Sequence, residues 1–184
     1  MSERDAKSEY IFKVIILGDG AVGKTSMVLQ FTENKFNENY IMSLGANFAI
    51  KMVEFDDFLV RLQLWDLAGQ KHFHFVRPGF YRGAFAAIYV FDLTRRKTFE
   101  NIGNWVDEAS AYLEPNTPHW LVGNKVDLTD ERVVSKSQGR ECAKELGSVN
   151  YYETSAKTAE NLDDMFGEVI ERVIEFNDID VGKR

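Results

Sequence analysis

The chain has 184 residues, 45% of them hydrophobic and 28% charged, which are the proportions of a globular protein with one core and no room for a second of ordinary size. Its 29 acidic residues outweigh 22 basic ones for a net charge of −7, which argues against holding nucleic acid or anionic lipid through bulk charge. A lone cysteine, Cys142, excludes an internal disulfide framework, suits a reducing compartment, and reads best as a small buried hydrophobe on a helix.

Residues 1–10 are polar and charged and lack the apolar core of a signal peptide, so a tail is expected ahead of one folded unit at 11–177. Residues 12–17 form an apolar run, interrupted only by Lys13, that predicts a strand buried on both faces. A helical pattern follows over 24–32. Residues 47–55 and 59–66 predict two strands joined by a short hairpin at Asp56-Asp57. Two more apolar runs, 86–91 and 120–123, and a weaker one at 151–154, complete six strands. Between them, Phe99, Ile102, Val106, Ala109 and Leu113 keep the helical period. A helix over 136–146 is expected after Ser135, with Gln138 placed to complete a capping box. The last, over 162–176, repeats Leu162, Met165, Phe166, Val169, Ile170, Val173 and Phe176 along one face.

Residues 178–184 are expected to be a second tail. No stretch approaches the roughly 18 consecutive apolar residues of a membrane span. Ser2 is not the glycine of a myristoylation signal, and Val181-Gly182-Lys183-Arg184 carries no prenylation cysteine, so nothing in the chain as given is expected to anchor it. Strands alternating with helices, plus one hairpin, predict an α/β fold: a mostly parallel sheet with one antiparallel edge strand and helices on both faces. In such sheets ligands bind at the carboxyl ends of the strands.

Four of those ends carry chemistry. After the first strand comes Gly18-Asp19-Gly20-Ala21-Val22-Gly23-Lys24-Thr25, the pattern G-x-x-x-x-G-K-[ST] between a strand and a helix. Glycines let the backbone curl so that successive N–H groups face phosphate oxygens, and the helix adds the positive end of its dipole. Lys24 would give a point charge to the β- and γ-phosphates and Thr25 a hydroxyl to Mg2+. After the fifth strand, Asn124-Lys125-Val126-Asp127 offers an aspartate able to accept from N1–H and the exocyclic amine of guanine. Adenine offers neither donor there, and sites built to bond a substrate group reject analogues lacking it by roughly 10⁴–10⁵. Ser155-Ala156-Lys157 after the sixth strand supplies the complement, the Ala156 amide facing the guanine carbonyl; alone, this tripeptide cannot be told from an ordinary loop.

Asp66-Leu67-Ala68-Gly69-Gln70 leaves the third strand. Its carboxylate can hold Mg2+ through the water shell, Gly69 offers an unobstructed N–H to the γ-phosphate, and Gln70 can orient an attacking water. By itself such a segment is more often a plain turn.

In order and spacing, these four motifs resemble the Ras superfamily of small GTPases over residues 11–177, and details resemble its Rab branch. Trp65-Asp66-Leu67-Ala68-Gly69-Gln70 is similar to W-D-T-A-G-Q, Phe80-Tyr81-Arg82-Gly83-Ala84 to Y-Y-R-G-A, Tyr89-Val90-Phe91-Asp92-Leu93-Thr94 to L-V-Y-D-I-T, and Leu44-Gly45-Ala46-Asn47-Phe48 to I-G-V-D-F. The resemblance implies a P-loop NTPase G domain that hydrolyses GTP with Mg2+, with Gln70, Lys24 and Gly69 serving catalysis. It implies nucleotide contacts from Asp19, Gly20, Ala21, Val22, Gly23, Lys24, Thr25, Ser26, Phe36, Tyr40, Ser43, Gly69, Asn124, Lys125, Asp127, Ser155, Ala156 and Lys157, and metal contacts from Thr25, Ser43 and Asp66. Phe36 would pack edge-on against the base and Tyr40 would cover the phosphates. Ser43 stands where the family has a threonine; it keeps the hydroxyl and the N–H but is less stiff about χ1, which loosens the closed loop. Leu67 also replaces a threonine, with no clear consequence. Gly20 leaves room for the water and Gln70, and no arginine lies between residues 36 and 50, so a partner would supply one.

The implied partners are GTP and GDP, an exchange factor, a GTPase-activating protein, and effectors that meet residues 36–48 and 66–81. A monomer is expected, cytoplasmic, engaged in vesicle traffic, and peripheral on membranes only in a lipidated full-length form. Two rivals stand beside this reading. A GTP-bound scaffold with negligible hydrolysis is opposed by Gln70 and Gly20, and a P-loop kinase by the missing arginine-rich lid and the idle Asn124–Asp127 segment. His72 and His74, two apart with no third ligand nearby, read as exposed loop residues. Trp65, Phe73, Phe75, Phe80 and Tyr81 read as packing, with Phe48, Trp65 and Phe80 equally suited to an effector surface. Arg95-Arg96-Lys97 reads as a solvated helix start.

Overall fold

A computed structural model describes residues 7–36, 45–69 and 77–177. Its strands are β1 (Ser8–Leu17), β2 (Ala46–Glu54), β3 (Phe58–Leu67), β4 (Ala86–Asp92), β5 (His119–Asn124) and β6 (Tyr151–Thr154). Its helices are α1 (Lys24–Glu33), α2 (Pro78–Tyr81), α3 (Arg96–Glu100), α4 (Ile102–Ser110), α5 (Lys136–Leu146) and α6 (Leu162–Phe176), with a 3₁₀ turn at Thr129–Glu131. The strands make one sheet in the order β2-β3-β1-β4-β5-β6. Only β2 runs antiparallel, paired with β3 from Ala46 opposite Leu67 to Glu54 opposite Leu59. The sequence predicts this architecture.

Hydrophobicity explains the layers. β4 is buried at all seven positions, as its unbroken apolar run requires of a strand covered on both faces. On one side Val14, Ile16, Leu62, Val90 and Val122 pack against Met27 and Phe31 of α1 and against Phe166, Val169 and Val173 of α6. The rings of Phe31 and Phe166 stack with centroids 4.0 Å apart, which fastens α1 to α6. On the other side Ile15, Leu17, Tyr89, Phe91 and Leu121 pack against Ile102, Trp105 and Ala109 of α4 and Ala143 of α5. The Ser135 box forms: its Oγ accepts from the Gln138 N–H and the Gln138 side chain accepts from the Ser135 N–H.

The structure corrects three expectations. The helix predicted over 99–113 begins at Arg96 and is interrupted at Asn101, whose ψ of −7° pulls the backbone toward the bridge region. β1 starts four residues early, because the polar residues Ser8 and Glu9 pair with Phe58 and Leu59 of β3. α2 has no counterpart in the prediction; four residues are too few for a period to register.

Candidate functional site

Five parallel strands, β1, β3, β4, β5 and β6, end at one edge of the sheet, and the loops that leave them meet there. The first curls from Gly18 to Gly23 and delivers the chain into α1. Gly23 lies at φ 100°, and a Cβ there would fall 2.2 Å from Nδ2 of Asn124, so both conformation and contact require glycine. Ala21 takes φ 60°, giving the loop the mixed-handed backbone that forms an anion-binding nest. No side chain caps α1, which leaves its first N–H groups for a ligand.

The carbonyls of this loop are tied down. Nζ of Lys24 donates to the carbonyl oxygens of Gly18 and Asp19 at 2.8 and 3.0 Å. Nδ2 of Asn124 donates to Val22 at 2.9 Å, and Nη2 of Arg95 to Gly20 at 3.0 Å. In a trans peptide the N–H points away from the preceding carbonyl. Fixing those four carbonyls therefore aims the N–H groups of residues 19, 20, 21 and 23 to the other side, where phosphate oxygens can be held. Lys24 is only 6% exposed. Burial pushes its pKa below the ordinary 10.5, against the pull of the Asp66 and Asp19 carboxylates. The Asp19 side chain faces away from the loop, accepting from Nδ2 of Asn101 at 2.7 Å and Nε1 of Trp105 at 2.8 Å.

At the end of β3, Asp66 is buried and its Oδ2 accepts from the Thr25 hydroxyl, with Nδ2 of Asn47 at 3.4 Å. A hydroxyl and a buried carboxylate are hard oxygen donors, few in number, and such a pair fits Mg2+, which keeps several of its waters. Gly69 touches the phosphate loop: a Cβ there would lie 2.4 Å from the Asp19 carbonyl carbon and 2.5 Å from the Gly20 nitrogen. Close approach of two backbones explains the glycine. A Cβ on Gly20 would meet nothing within 4 Å, so the space beside it is open.

The base loops hold each other through side chains. Asn124 is buried; its Oδ1 accepts from the Thr154 hydroxyl and the Ala156 N–H, both at 3.2 Å. Oδ1 of Asp127 accepts from the Ser155 hydroxyl at 2.6 Å, and Oγ of Ser155 also accepts from the N–H groups of Lys157 and Thr158. Lys125 takes φ 71° and its Nζ reaches Oδ2 of Asp92 at 2.6 Å.

Asp92 is a residue that the sequence reading missed. It ends β4 with no exposed surface, and binds Arg95 Nε at 2.8 Å and the Thr94 N–H and hydroxyl at 2.8 and 2.7 Å. Burial raises a carboxyl pKa, yet the bonds from Lys125, Thr94 and Arg95 outweigh it and hold Asp92 below its usual value. The available signal was its place at a strand's carboxyl end. Arg95, Arg96 and Lys97 are exposed at the start of α3 as expected, and the two arginines also make directed bonds, Arg96 donating to the Val133 carbonyl and to Gln138. Arg77 was missed too: it is buried, paired through Nε and Nη2 with Glu108 at 2.7 Å, and stacked 4.5 Å from the Trp105 ring centre.

Phe36 is exposed after α1, and Ser26 lies in its first turn. Trp65 bridges the rings of Phe48 and Phe80, at 4.8 and 5.6 Å. Tyr40, Ser43 and Gln70, along with His72, Phe73, His74 and Phe75, lie outside the described residues.

Comparison with known proteins agrees with this geometry. The model of the Ras family matches residues 13–175. The chain is also 39% identical over 158 residues to the Ras-related protein Rab-8A of Gallus gallus, covering 86% of this chain and 76% of that one.

Proposed function

This chain belongs to the Ras family, a Rab-like small GTPase that hydrolyses GTP and switches state with its nucleotide in membrane traffic, and we propose that the loops at the carboxyl edge of its sheet hold that nucleotide. The phosphates lie on residues 18–25, with Asp19, Gly20, Ala21, Val22, Gly23, Lys24, Thr25 and Ser26 in contact. The guanine lies between Asn124, Lys125 and Asp127 on one side and Ser155, Ala156 and Lys157 on the other, with Phe36 against its edge. The observation that carries this reading is the convergence: side chains tie four carbonyls of the phosphate loop, and one of them, Asn124, comes from the base loop itself.

Lys24 neutralises charge on the β- and γ-phosphates, and its buried position makes that charge count for more than it would in water. Gly69 brings its N–H toward the γ-phosphate, and Gln70 orients the water for in-line attack. This family generally depends on Mg2+; Thr25 and Asp66, joined by Ser43, would hold it, and when bound it would supply positive charge against the phosphate oxygens. Tyr40 covers the phosphates. Regulators and effectors act on the family as a whole; here the surface offered to them is 36–48 and 66–81, with the aromatic set Phe48, Trp65 and Phe80 beside it. We place the protein in the cytoplasm with membrane association as a peripheral protein. Among the described residues no helix is long and apolar enough to cross a membrane.

Gln70→Leu tests the hydrolytic assignment. The variant should bind GTP as the parent does and hydrolyse it at least about tenfold more slowly, a barrier increase above roughly 1.4 kcal/mol. Equal single-turnover rates would remove Gln70 from the reaction.

A further inference from the structure

We infer that Arg95 is a positioning residue for the nucleotide, joining the phosphate loop to the base loop through the carboxylate of Asp92. This rests on the assignment of residues 18–25 and 124–127 as the nucleotide site. Three contacts make the link. Nη2 of Arg95 donates to the Gly20 carbonyl at 3.0 Å, Nε of the same guanidinium donates to Oδ2 of Asp92 at 2.8 Å, and Nζ of Lys125 meets that same oxygen at 2.6 Å. One buried oxygen thus receives two cations, Arg95 from the loop after β4 and Lys125 from the base loop.

The bond to Gly20 has a directional consequence. Holding the carbonyl of residue 20 fixes the plane of its peptide and so the direction of the Ala21 N–H on the opposite side. Ala21 sits at φ 60°, a conformation unfavourable to an L-residue, and the tie on the Gly20 carbonyl opposes its relaxation. Asn124 and Lys24 do the same for neighbouring peptides; without Arg95, the Gly20–Ala21 peptide loses its side-chain tie. A planar guanidinium suits the task because its Nε and Nη2 donors point in fixed directions, one to the carboxylate and one to the carbonyl.

Arg95 is half-exposed, so its loss should leave the fold intact and act on ligand release. The experiment measures dissociation of a fluorescent GDP analogue, with Mg2+, from the parent, Arg95→Ala, Arg95→Lys, Asp92→Asn and the Arg95→Ala/Asp92→Asn double variant. Arg95→Ala should release GDP about fivefold faster, as expected for one charge-assisted bond discounted for exposure. Arg95→Lys should recover part of that loss. The double variant should release GDP no faster than Asp92→Asn alone, because Arg95 acts through Asp92. Release within twofold of the parent for Arg95→Ala overturns the inference, as does full additivity in the double variant. If the site assignment itself were wrong, Asp127→Asn would leave guanine selectivity unchanged in the parent background, an outcome separate from either of these.

Discussion

The two halves of the nucleotide site are built on opposite plans. The phosphate loop offers backbone N–H groups, and side chains hold its carbonyls: its own Lys24, with Asn124 and Arg95 from other loops. The base loops offer side chains that are held mostly by other side chains: the Ser155 hydroxyl donates to Asp127, and the Thr154 hydroxyl, with the Ala156 N–H, donates to Asn124. A backbone site recognises charge and shape, and it is indifferent to what the phosphates carry. A side-chain site recognises the donor and acceptor pattern of one base, and a single atom can change its preference. Affinity and specificity therefore belong to different residues in this molecule.

Removing the charge from the first half should give the largest effect. Lys24→Ala takes out a buried cation, and GTP affinity should fall by about 3 kcal/mol, roughly a hundredfold or more. The loss should be nearly equal for GTP and XTP, measured by titration. If the variant instead lost GTP binding selectively, the division between charge and base recognition would be broken.

A smaller change sharpens the same division from the other side. Ser155→Ala removes the hydroxyl that holds Asp127, at a cost of about 1–1.5 kcal/mol, near tenfold in guanine-nucleotide affinity. Binding of inorganic tripolyphosphate, which carries no base, should be unchanged. A loss for both ligands would mean that Ser155 supports the whole site rather than the base pocket.

Much of this arrangement could be read from the sequence, and the exceptions share a cause. α5, β6 and α6 were legible to the residue because local signals mark them: the Ser135 box, a short apolar run, and the apolar stripe of α6. The phosphate and base motifs were legible because their residue types are fixed by chemistry. The break between α3 and α4 was not, since Phe99, Ile102, Val106 and Ala109 keep the helical period straight through Asn101. What accompanies the break is a bond from Asn101 to Asp19, 82 residues away in the chain. The bond made by Arg95, exposed as expected, was hidden for the same reason. A basic run at a helix start carries no local sign that one of its members faces a carbonyl 75 residues earlier. Contacts that cross between loops are set by topology, and only the fold brings them together.

Asp127→Asn is the most direct test of a guanine site divided in this way. The amide presents a donor where the carboxylate accepted, and xanthine carries a carbonyl at C2 where guanine carries an amine. Titrations of parent and variant with GTP, XTP and ATP should show preference passing from GTP to XTP, by a combined factor of about 10³ or more. ATP should remain a poor ligand for both. The sum of affinities should survive because the phosphate loop is untouched. An unchanged preference for GTP in the variant would take Asp127 out of the base pocket and contradict the account.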